Sequence, residues 1–192
     1  MHQNLKAYKT PKNFRGRSAF TVQLWWIVQA MFFSTSPQIM FGWRRFLLRC
    51  FGAKIGKKVL IRPSVKTTYP WNLSIGDYSW IGDEVVLYSL GEIEIGEHTV
   101  ISQRSYICTA SHKYNVPEFS IYSEKVSVGA QCWLATDVYV APGLTIEDGV
   151  VVGARSTVLS DLKGYKVYVG SPVKCIKDLS LIHISEPTRR SM

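Results

Sequence analysis

The sequence predicts an all-β core built from short, flat segments, each of which turns a corner onto the next. Its leading evidence is a run of six aliphatic residues that stand six positions apart without a break. A helix repeats every 3.6 residues and a strand every 2, so neither element alone produces a period of six. The run consists of Val128, Leu134, Val140, Ile146, Val152 and Val158.

Two further observations extend this period into a long internal repeat. The same spacing occurs upstream in Ile75, Ile81, Leu87 and again in Ile95, Ile101, Ile107. A small or acidic residue usually follows each aliphatic residue, and small or branched residues recur four positions after it. These are Ser79, Val85, Thr99, Ser105, Cys132, Val138 and Ser156. Because several runs share the same neighbours, the pattern indicates a repeat architecture rather than a chance alignment.

This pattern resembles the hexapeptide repeat of the left-handed parallel β-helix acyltransferases over about residues 55–177. In that family three hexapeptides make one triangular coil, with the aliphatic residue inside and the small residue at the corner. The resemblance therefore implies stacked coils around an apolar column that no single repeat could bury alone. The left-handed turn is an exception to the usual right-handed crossover.

Two short helices are expected before the repeats, over Phe20–Phe33 and Gln38–Phe51. The break between them falls at Pro37, with Ser36 as a helix cap and Gly52 as the stop. The first helix is too short to span a bilayer, which needs about 20 apolar residues. Packing against the β-helix or a neighbouring subunit is the favoured role, and peripheral membrane contact through residues 20–51 stays open.

The chain is thus divided into an extension at 1–53, a β-helix domain at 54–178 with a protruding loop at 109–125, and a tail at 179–192. The tail breaks the hexapeptide register and resembles read-through from vector sequence, so it is treated as non-native. The start of the chain is basic and has no apolar run, which argues against a secretory signal. A cytoplasmic protein, in contact with the inner face of the membrane if the helices bind it, is expected.

Composition limits the function classes. The formal charge is +9, but the basic residues are not concentrated in one stripe with interleaved aromatics, so no nucleic acid partner is expected. A polyanionic cofactor or an anionic membrane explains the charge at least as well. The four cysteines have no CxxC or CxxH spacing, which favours buried free thiols and no metal.

The repeat is interrupted once, between Ile107 and Val128, where 21 positions are not a multiple of six. The segment CTASH, which ends at His112, resembles the family's Thr-x-x-His loop, in which the histidine is the general base. Neutral imidazole can accept the proton of an attacking hydroxyl. Its orienting partner stays open between Glu118, Glu124 and a backbone carbonyl.

Residues 126–178 are similar to the C-terminal signature of these enzymes, which implies acetyl-CoA in a groove between subunits of a homotrimer. A purely structural interpretation is also open, in which the tryptophan of this segment caps the apolar column and its lysines are only solvated. The resemblance assigns Trp133 to the active-site wall, Ala135, Thr136 and Ala154 to the pantetheine arm, Lys174 and Lys177 to the phosphates, and Lys163 more weakly to the phosphates.

The resemblance implies O-acetylation of a sugar by direct attack, without an acyl-enzyme, so Cys108 is expected to be a packed thiol. The order of motifs looks closest to acetyltransferases of colanic-acid-like exopolysaccharide clusters, with a sugar or lipid-linked glycan as acceptor. The asparagine that contacts the sugar in galactoside and maltose acetyltransferases falls near Gly82–Glu84 here and is missing. Its candidate replacements are Asp83, Glu84 and Tyr88.

Four other function classes share or could use a β-helix of this kind. The γ-class carbonic anhydrases need three histidines for a metal, and only His98 and His112 lie in the repeats. Serine acetyltransferases carry a larger helical N-terminal domain. A non-catalytic β-helix scaffold and an acyltransferase with a non-sugar acceptor remain as alternatives.

Overall fold

The computed structural model describes residues 3–11 and 14–179, and its centre is a parallel β-solenoid of about six turns with three sheets. The first sheet consists of β1 (Lys54–Ile55), β4 (Leu73–Ile75), β7 (Ile93–Ile95), β12 (Val126–Val128) and β15 (Thr145–Ile146). The second consists of β2 (Leu60–Ile61), β5 (Trp80–Ile81), β8 (Val100–Ile101), β13 (Trp133–Leu134), β16 (Val151–Val152), β18 (Lys166–Gly170) and β19 (Val173–Asp178). The third consists of β3 (Lys66–Thr67), β6 (Val86–Tyr88), β9 (Tyr106–Cys108), β14 (Tyr139–Val140) and β17 (Thr157–Val158).

The six-residue period forms the apolar column, as predicted. All twelve aliphatic residues of the three runs are at most 3% exposed. Along the first sheet Ile75 pairs with Ile95, Ile95 with Val128, and Val128 with Ile146. Each coil therefore places its aliphatic residues directly above those of the coil before it.

The small residues predicted at the corners are also buried, and several of them join one coil to the next. Ser79 donates from Oγ to the Gly96 carbonyl at 2.7 Å, and Thr99 donates from Oγ1 to the Gly129 carbonyl at 2.7 Å. The Ser79 hydroxyl also accepts from the Thr99 amide at 3.0 Å. The hydroxyl groups thus satisfy backbone groups that corner residues cannot pair in a strand ladder.

Two helices before the solenoid cover its first coil. They are α1 (Ala19–Val28), which continues as a π-helical turn (Gln29–Phe33), and α2 (Phe41–Cys50). Short 3₁₀ turns lie at Leu5–Ala7 and Pro70–Asn72. We call residues 19–51 the N-terminal cap.

The peptide planes of the first coil explain why the cap is needed. The amides of Gly56, Leu60, Arg62 and Thr68 donate to carbonyls of the second coil. Within a peptide unit the carbonyl points opposite to the amide, so the carbonyls that precede these four amides face away from the second coil. Each receives a cap side chain: Arg49 donates to Ile55, Arg45 to Val59, Arg44 to Ile61 and Trp25 to Thr67.

Arg44 is the central residue of this arrangement, because it is 0% exposed. Its guanidinium donates to the Ile61 carbonyl at 2.6 Å, to Ser36 Oγ at 2.7 Å, to the Pro37 carbonyl at 2.9 Å and to the Gln38 carbonyl at 2.7 Å. Burial lowers the pKa of Arg44 below its usual value. Four acceptors nevertheless keep the guanidinium hydrogen-bonded.

Two expectations for the cap need revision. Ser36 as a helix cap is wrong: α2 begins after Met40, whose side chain makes no capping bond, and Ser36 instead donates to the Phe33 carbonyl at 2.6 Å. The second helix starts at Phe41 rather than Gln38, because a turn in which Met40 N donates to Pro37 O precedes it. Gly52 does follow α2, with a φ of +95°. The expected non-native tail lies outside the described residues from position 180 onward.

We predict that Arg44→Met destabilises the protein by about 3 kcal/mol or more, because it leaves several buried acceptors without a donor. The matched control is Arg45→Met, since Arg45 is half-buried and donates one bond, to the Val59 carbonyl at 2.9 Å. That change is expected to cost about 1 kcal/mol. Urea unfolding midpoints measure both. Equal midpoints for the two variants would contradict the central role of Arg44.

Candidate functional site

The interruption of the repeat forms a β-hairpin at the corner between the third and first sheets. Its strands are β10 (Ala110–His112) and β11 (Ile121–Ser123), paired antiparallel. Thr109, fully buried at its base, donates from Oγ1 to the Tyr88 carbonyl at 2.6 Å and accepts from the Gly91 amide at 2.8 Å. The amide of Glu124 donates to the Thr109 carbonyl at 2.8 Å. The predicted loop at 109–125 is therefore an ordered hairpin anchored in the second coil.

His112 lies on this hairpin with one ring nitrogen already engaged. Its Nδ1 is 2.8 Å from the carbonyl oxygen of Phe119. A carbonyl can only accept, so Nδ1 holds the proton of the neutral ring and Nε2 keeps its lone pair. Of the three candidates for an orienting partner, it is a backbone carbonyl, and not Glu118 or Glu124, that is hydrogen-bonded to Nδ1.

The ring of His112 is also fixed by packing. It stacks on the ring of Phe119 with centroids 4.3 Å apart and planes inclined by 5°. The ring of Tyr8 lies 6.3 Å from it, and the amide of Asn4 donates to the Pro117 carbonyl at 2.8 Å. The start of the chain thus packs beside the hairpin. A surface cavity of about 640 Å³ adjoins His112.

Four of the predicted coenzyme residues share a different part of the solenoid, the edge between the second and third sheets. Trp133 lies on the outer face of β13, 51% exposed, and donates from Nε1 to Ser102 Oγ at 3.0 Å. It does not cap the apolar column, because Leu134 fills the inward position. Ala135 and Thr136 turn the adjacent corner, and the Arg155 amide, next to Ala154, donates to the Thr136 carbonyl at 2.9 Å.

Two of the three predicted lysines lie on one strand, and the third lies at a different corner of the solenoid. Lys174 and Lys177 are exposed on β19, opposite Val169 and Val167 at the C-terminal end of the second sheet. Lys163 lies at the other corner of that sheet, where its Nζ is 2.8 Å from Glu147 Oε1. The hydrogen bond from Lys163 lowers the pKa of Glu147. The geometry therefore separates Lys163 from the edge that carries Trp133.

The acceptor candidates divide between two places. Asp83 and Glu84 occupy the second-to-third-sheet edge two coils before Trp133, and Asp83 accepts from Arg62 Nε at 2.7 Å. This bond is the main reason why the pKa of Asp83 lies below its usual value. Asp83 also lines a cavity of about 330 Å³ together with Trp80. Tyr88 instead lies on the third sheet, next to the base of the hairpin.

Sequence reasoning missed the residues that support His112. Thr109 was visible in the Thr-x-x-His motif, but its anchoring role needs the second coil in place. Phe119 could not be identified from the sequence, because the group that bonds His112 is its backbone carbonyl, which every residue has.

Tyr106 and Tyr139 form a tilted pair beside Tyr88 on the third sheet. Burial raises the pKa of Tyr106 and of Tyr139 to about 12.

The cysteines are structural where they are buried. Cys108 donates from Sγ to the Ala110 carbonyl at 3.1 Å, which agrees with the expected packed thiol. Burial raises the pKa of the Cys132 thiol to about 11. Cys50 and Cys175 are exposed and free, contrary to the expectation of buried thiols. Within residues 3–11 and 14–179, no group of three or more His, Cys, Asp or Glu side chains is placed to hold a metal ion.

Comparison with known proteins gives strong sequence relatives, including one from Escherichia coli K12 and one from Shigella flexneri. The chain is 57% identical over 176 residues to a protein of Escherichia coli K12 that bears the name colanic acid biosynthesis acetyltransferase WcaF, covering 92% of this chain and 97% of that protein. No protein-family model matches the chain.

Solved structures share the fold. A maltose O-acetyltransferase from Clostridium difficile 630 superposes with a TM-score of 0.78 at 24% identity, over 90% of this chain and 91% of that one. A hexapeptide-repeat acetyltransferase from Vibrio cholerae, solved with acetyl coenzyme A, superposes with a TM-score of 0.77 at 23% identity, over 85% of this chain and 91% of that one. These matches confirm the predicted left-handed β-helix.

We predict that Thr109→Val loosens the hairpin, because the variant loses the hydroxyl that bonds both Tyr88 and Gly91. The cost should be about 1–3 kcal/mol of unfolding free energy. Amide hydrogen exchange at Tyr122 and Glu124 should become faster. Thr109→Ser is the matched control, since it keeps the hydroxyl. Unchanged exchange in Thr109→Val would show that the hairpin does not depend on this anchor.

Proposed function

The chain belongs to the hexapeptide-repeat acetyltransferases, in the group of the colanic acid biosynthesis enzyme WcaF, and we propose that it acetylates a sugar hydroxyl from acetyl-CoA in the synthesis of a colanic-acid-type surface polysaccharide. The single observation that carries the mechanism is the bond between His112 Nδ1 and the Phe119 carbonyl. It fixes the tautomer in which Nε2 accepts a proton. Among the described residues, none forms a hydrogen bond with Nε2.

In the proposed reaction the oxygen of the acceptor hydroxyl attacks the thioester carbonyl carbon while His112 Nε2 takes the hydroxyl proton. The tetrahedral intermediate then collapses, the carbon–sulfur bond breaks, and the proton passes to the thiolate of coenzyme A. The imidazolium that forms transiently keeps its Nδ1–H bond to Phe119, so the carbonyl dipole stabilises it. No acyl-enzyme is needed, in line with the engagement of Cys108 in packing.

The coenzyme is proposed to lie along the edge between the second and third sheets, beside Trp133, Ala135, Thr136 and Ala154. The fold supports this, since the Vibrio cholerae relative was solved with acetyl coenzyme A. Lys174 lies on β19, at the C-terminal end of the second sheet, which also carries Trp133. It is the better placed lysine for a phosphate. Lys177 is a second candidate, and Lys163 is the weakest because Glu147 already pairs with it.

The placement of these residues supports a homotrimer with a shared site. The solenoid has three corners, with His112 at the one between the third and first sheets and Trp133 beside the one between the second and third. A single chain therefore does not bring the base and the coenzyme edge together. A cyclic assembly does so if each subunit offers its hairpin to its neighbour's edge.

A non-catalytic scaffold is the second candidate, and the hairpin disfavours it. A scaffold needs the apolar column but has no use for a histidine whose ring is stacked, hydrogen-bonded and next to a cavity.

The nature of the acceptor is a separate question. A panel of soluble sugars, nucleotide sugars and simple alcohols, with release of free coenzyme A as the readout, distinguishes a sugar from a non-sugar acceptor.

We predict that His112→Ala lowers kcat by about 10²- to 10⁴-fold, the range expected for loss of a general base. The KM for acetyl-CoA should change by no more than about twofold, because the base does not hold the coenzyme. The matched control is His98→Asn: His98 stacks on Tyr78 at another corner with a φ of +55°, and asparagine tolerates that backbone. Full activity in His112→Ala would refute the assignment.

Mixed trimers test the shared site. If His112→Ala and Trp133→Ala subunits are co-expressed in equal amounts, about one quarter of the sites should combine an intact hairpin with an intact neighbouring edge. Recovered activity should approach that fraction, whereas each variant alone stays low. A site contained within one chain predicts no recovery above the two separate variants. Light scattering that shows a monomer would also rule out the shared groove.

A further inference from the structure

The N-terminal cap presents an apolar face to solvent. Phe20, Leu24, Ile27 and Met31 follow the helical spacing of three and four residues, and they are 76%, 41%, 52% and 61% exposed. They therefore form one stripe along α1 and the π-helical turn, which we call the outer stripe. Its length of about three turns makes it far more than an isolated surface side chain.

More exposed apolar side chains continue the stripe onto α2. Trp43 donates from its indole Nε1 to the Phe32 carbonyl at 3.0 Å and stacks on Phe46 with ring centroids 5.8 Å apart. Phe32 and Phe46 are themselves about half exposed, and Ile39 in the connecting turn is largely exposed. The cap thus carries one extended apolar surface rather than several scattered residues.

The outer stripe lies on the side of the first helical segment that is not buried against the rest of the protein. On the opposite face of the first helical segment, Trp25 and Phe33 are buried in the main core. Val22 is buried in a second cluster with Tyr69, Leu90 and Ala110. A helix that is apolar all round is normally enclosed on every side. Here only one side is covered, so the outer stripe calls for a partner.

The charge of this end of the chain identifies the class of partner. Residues 1–76 contain 13 of the 23 lysines and arginines and none of the 14 acidic residues, a formal charge of +13. Residues 77–192 carry ten basic and 14 acidic residues, a formal charge of −4. The first acidic side chain is Asp77, which accepts from the Lys57 amide at 2.7 Å.

Several basic side chains belong to the cap or adjoin it. Arg15 and Arg17 precede α1, Arg49 lies near the end of α2, and Lys54 begins the first coil. All four side chains are exposed. Apolar side chains that enter the acyl boundary, with cations beside them at the level of anionic headgroups, are the composition of an interfacial helix. Trp26, 46% exposed, has the amphipathic ring that favours this region.

We propose that the N-terminal cap docks the protein peripherally on an anionic lipid bilayer through the outer stripe. Among the helices of residues 3–11 and 14–179, none combines the length and the apolar character needed to cross a bilayer. A second copy of the chain is a poor occupant, because two ends of charge +13 repel one another. Nucleic acid would match the charge but not the apolar stripe.

Docking would also bring a lipid-linked acceptor near Asp83, one of the candidate acceptor residues. Phe41 of α2 lines the cavity of about 330 Å³ that contains Trp80 and Asp83. This cavity therefore adjoins the cap, at the end of the solenoid that would face the lipid. The docking itself does not depend on the proposed reaction, and it can be tested without any substrate.

Vesicle co-sedimentation tests the proposal directly. The full chain is expected to bind vesicles containing about 30% phosphatidylglycerol at least about tenfold more tightly than vesicles of phosphatidylcholine alone. Binding should weaken in about 0.5 M salt, which screens exposed charges. The double variant Leu24→Gln with Ile27→Gln should lose at least about tenfold in affinity for the anionic vesicles. Phe20→Gln, at the most exposed position of the stripe, provides a second variant with little risk to folding.

Leu159→Gln is the matched control, since Leu159 is 56% exposed but follows β17 at the far end of the solenoid. It should bind vesicles like the unaltered chain. Equal binding by the stripe variants and the control, or no preference for anionic lipid, would overturn the proposal. So would stripe variants that change only the oligomeric state, since the stripe would then be an interface between copies. Activity on a soluble acceptor should be unchanged in the stripe variants, which keeps this test separate from that of the proposed reaction.

Discussion

The opposed directions of amide and carbonyl within each peptide plane govern this molecule. Every coil bonds the next one through backbone groups that point along the solenoid axis, so each internal coil is satisfied on both sides. The first coil has no predecessor, and its outward carbonyls would be costly to bury without donors. Arg44, Arg45, Arg49 and Trp25 supply those donors. The helical extension is therefore part of the solenoid's hydrogen bonding rather than a separate appendage.

The same constraint limits where a functional segment can leave the coil. An insertion must return to the register that it left, or every later coil would lose its pairing. Here the chain leaves after β9 and returns at Val126, which pairs with Ile93 as if nothing had been inserted. The two strands of the inserted segment pair with each other in the hairpin, and Thr109 ties the base to the second coil. An ordered histidine thus sits at the rim without disturbing the column.

Sequence alone predicted the features that the repeat determines and missed those that depend on neighbours in space. Each aliphatic position sees the same environment in every coil, so Ile107 and Val140 were predictable from spacing alone. Ser36 looked like a helix cap from its local sequence, yet its hydroxyl is used by Arg44, which folds back from α2. The Phe119 carbonyl could not be identified as the partner of His112, because any residue supplies a carbonyl. Lys163 was expected only as a weaker phosphate residue, and its pairing with Glu147 at another corner could not be read from the sequence.

The triangular cross-section then links the chemistry to assembly. Side chains at different corners of one coil are held apart by the apolar column between them, and that column is close-packed and does not deform. His112 lies at the corner between the third and first sheets, and Trp133 lies beside the corner between the second and third. The proposed reaction, with His112 as the base and the coenzyme beside Trp133, therefore favours an assembly in which each hairpin meets a neighbour's edge.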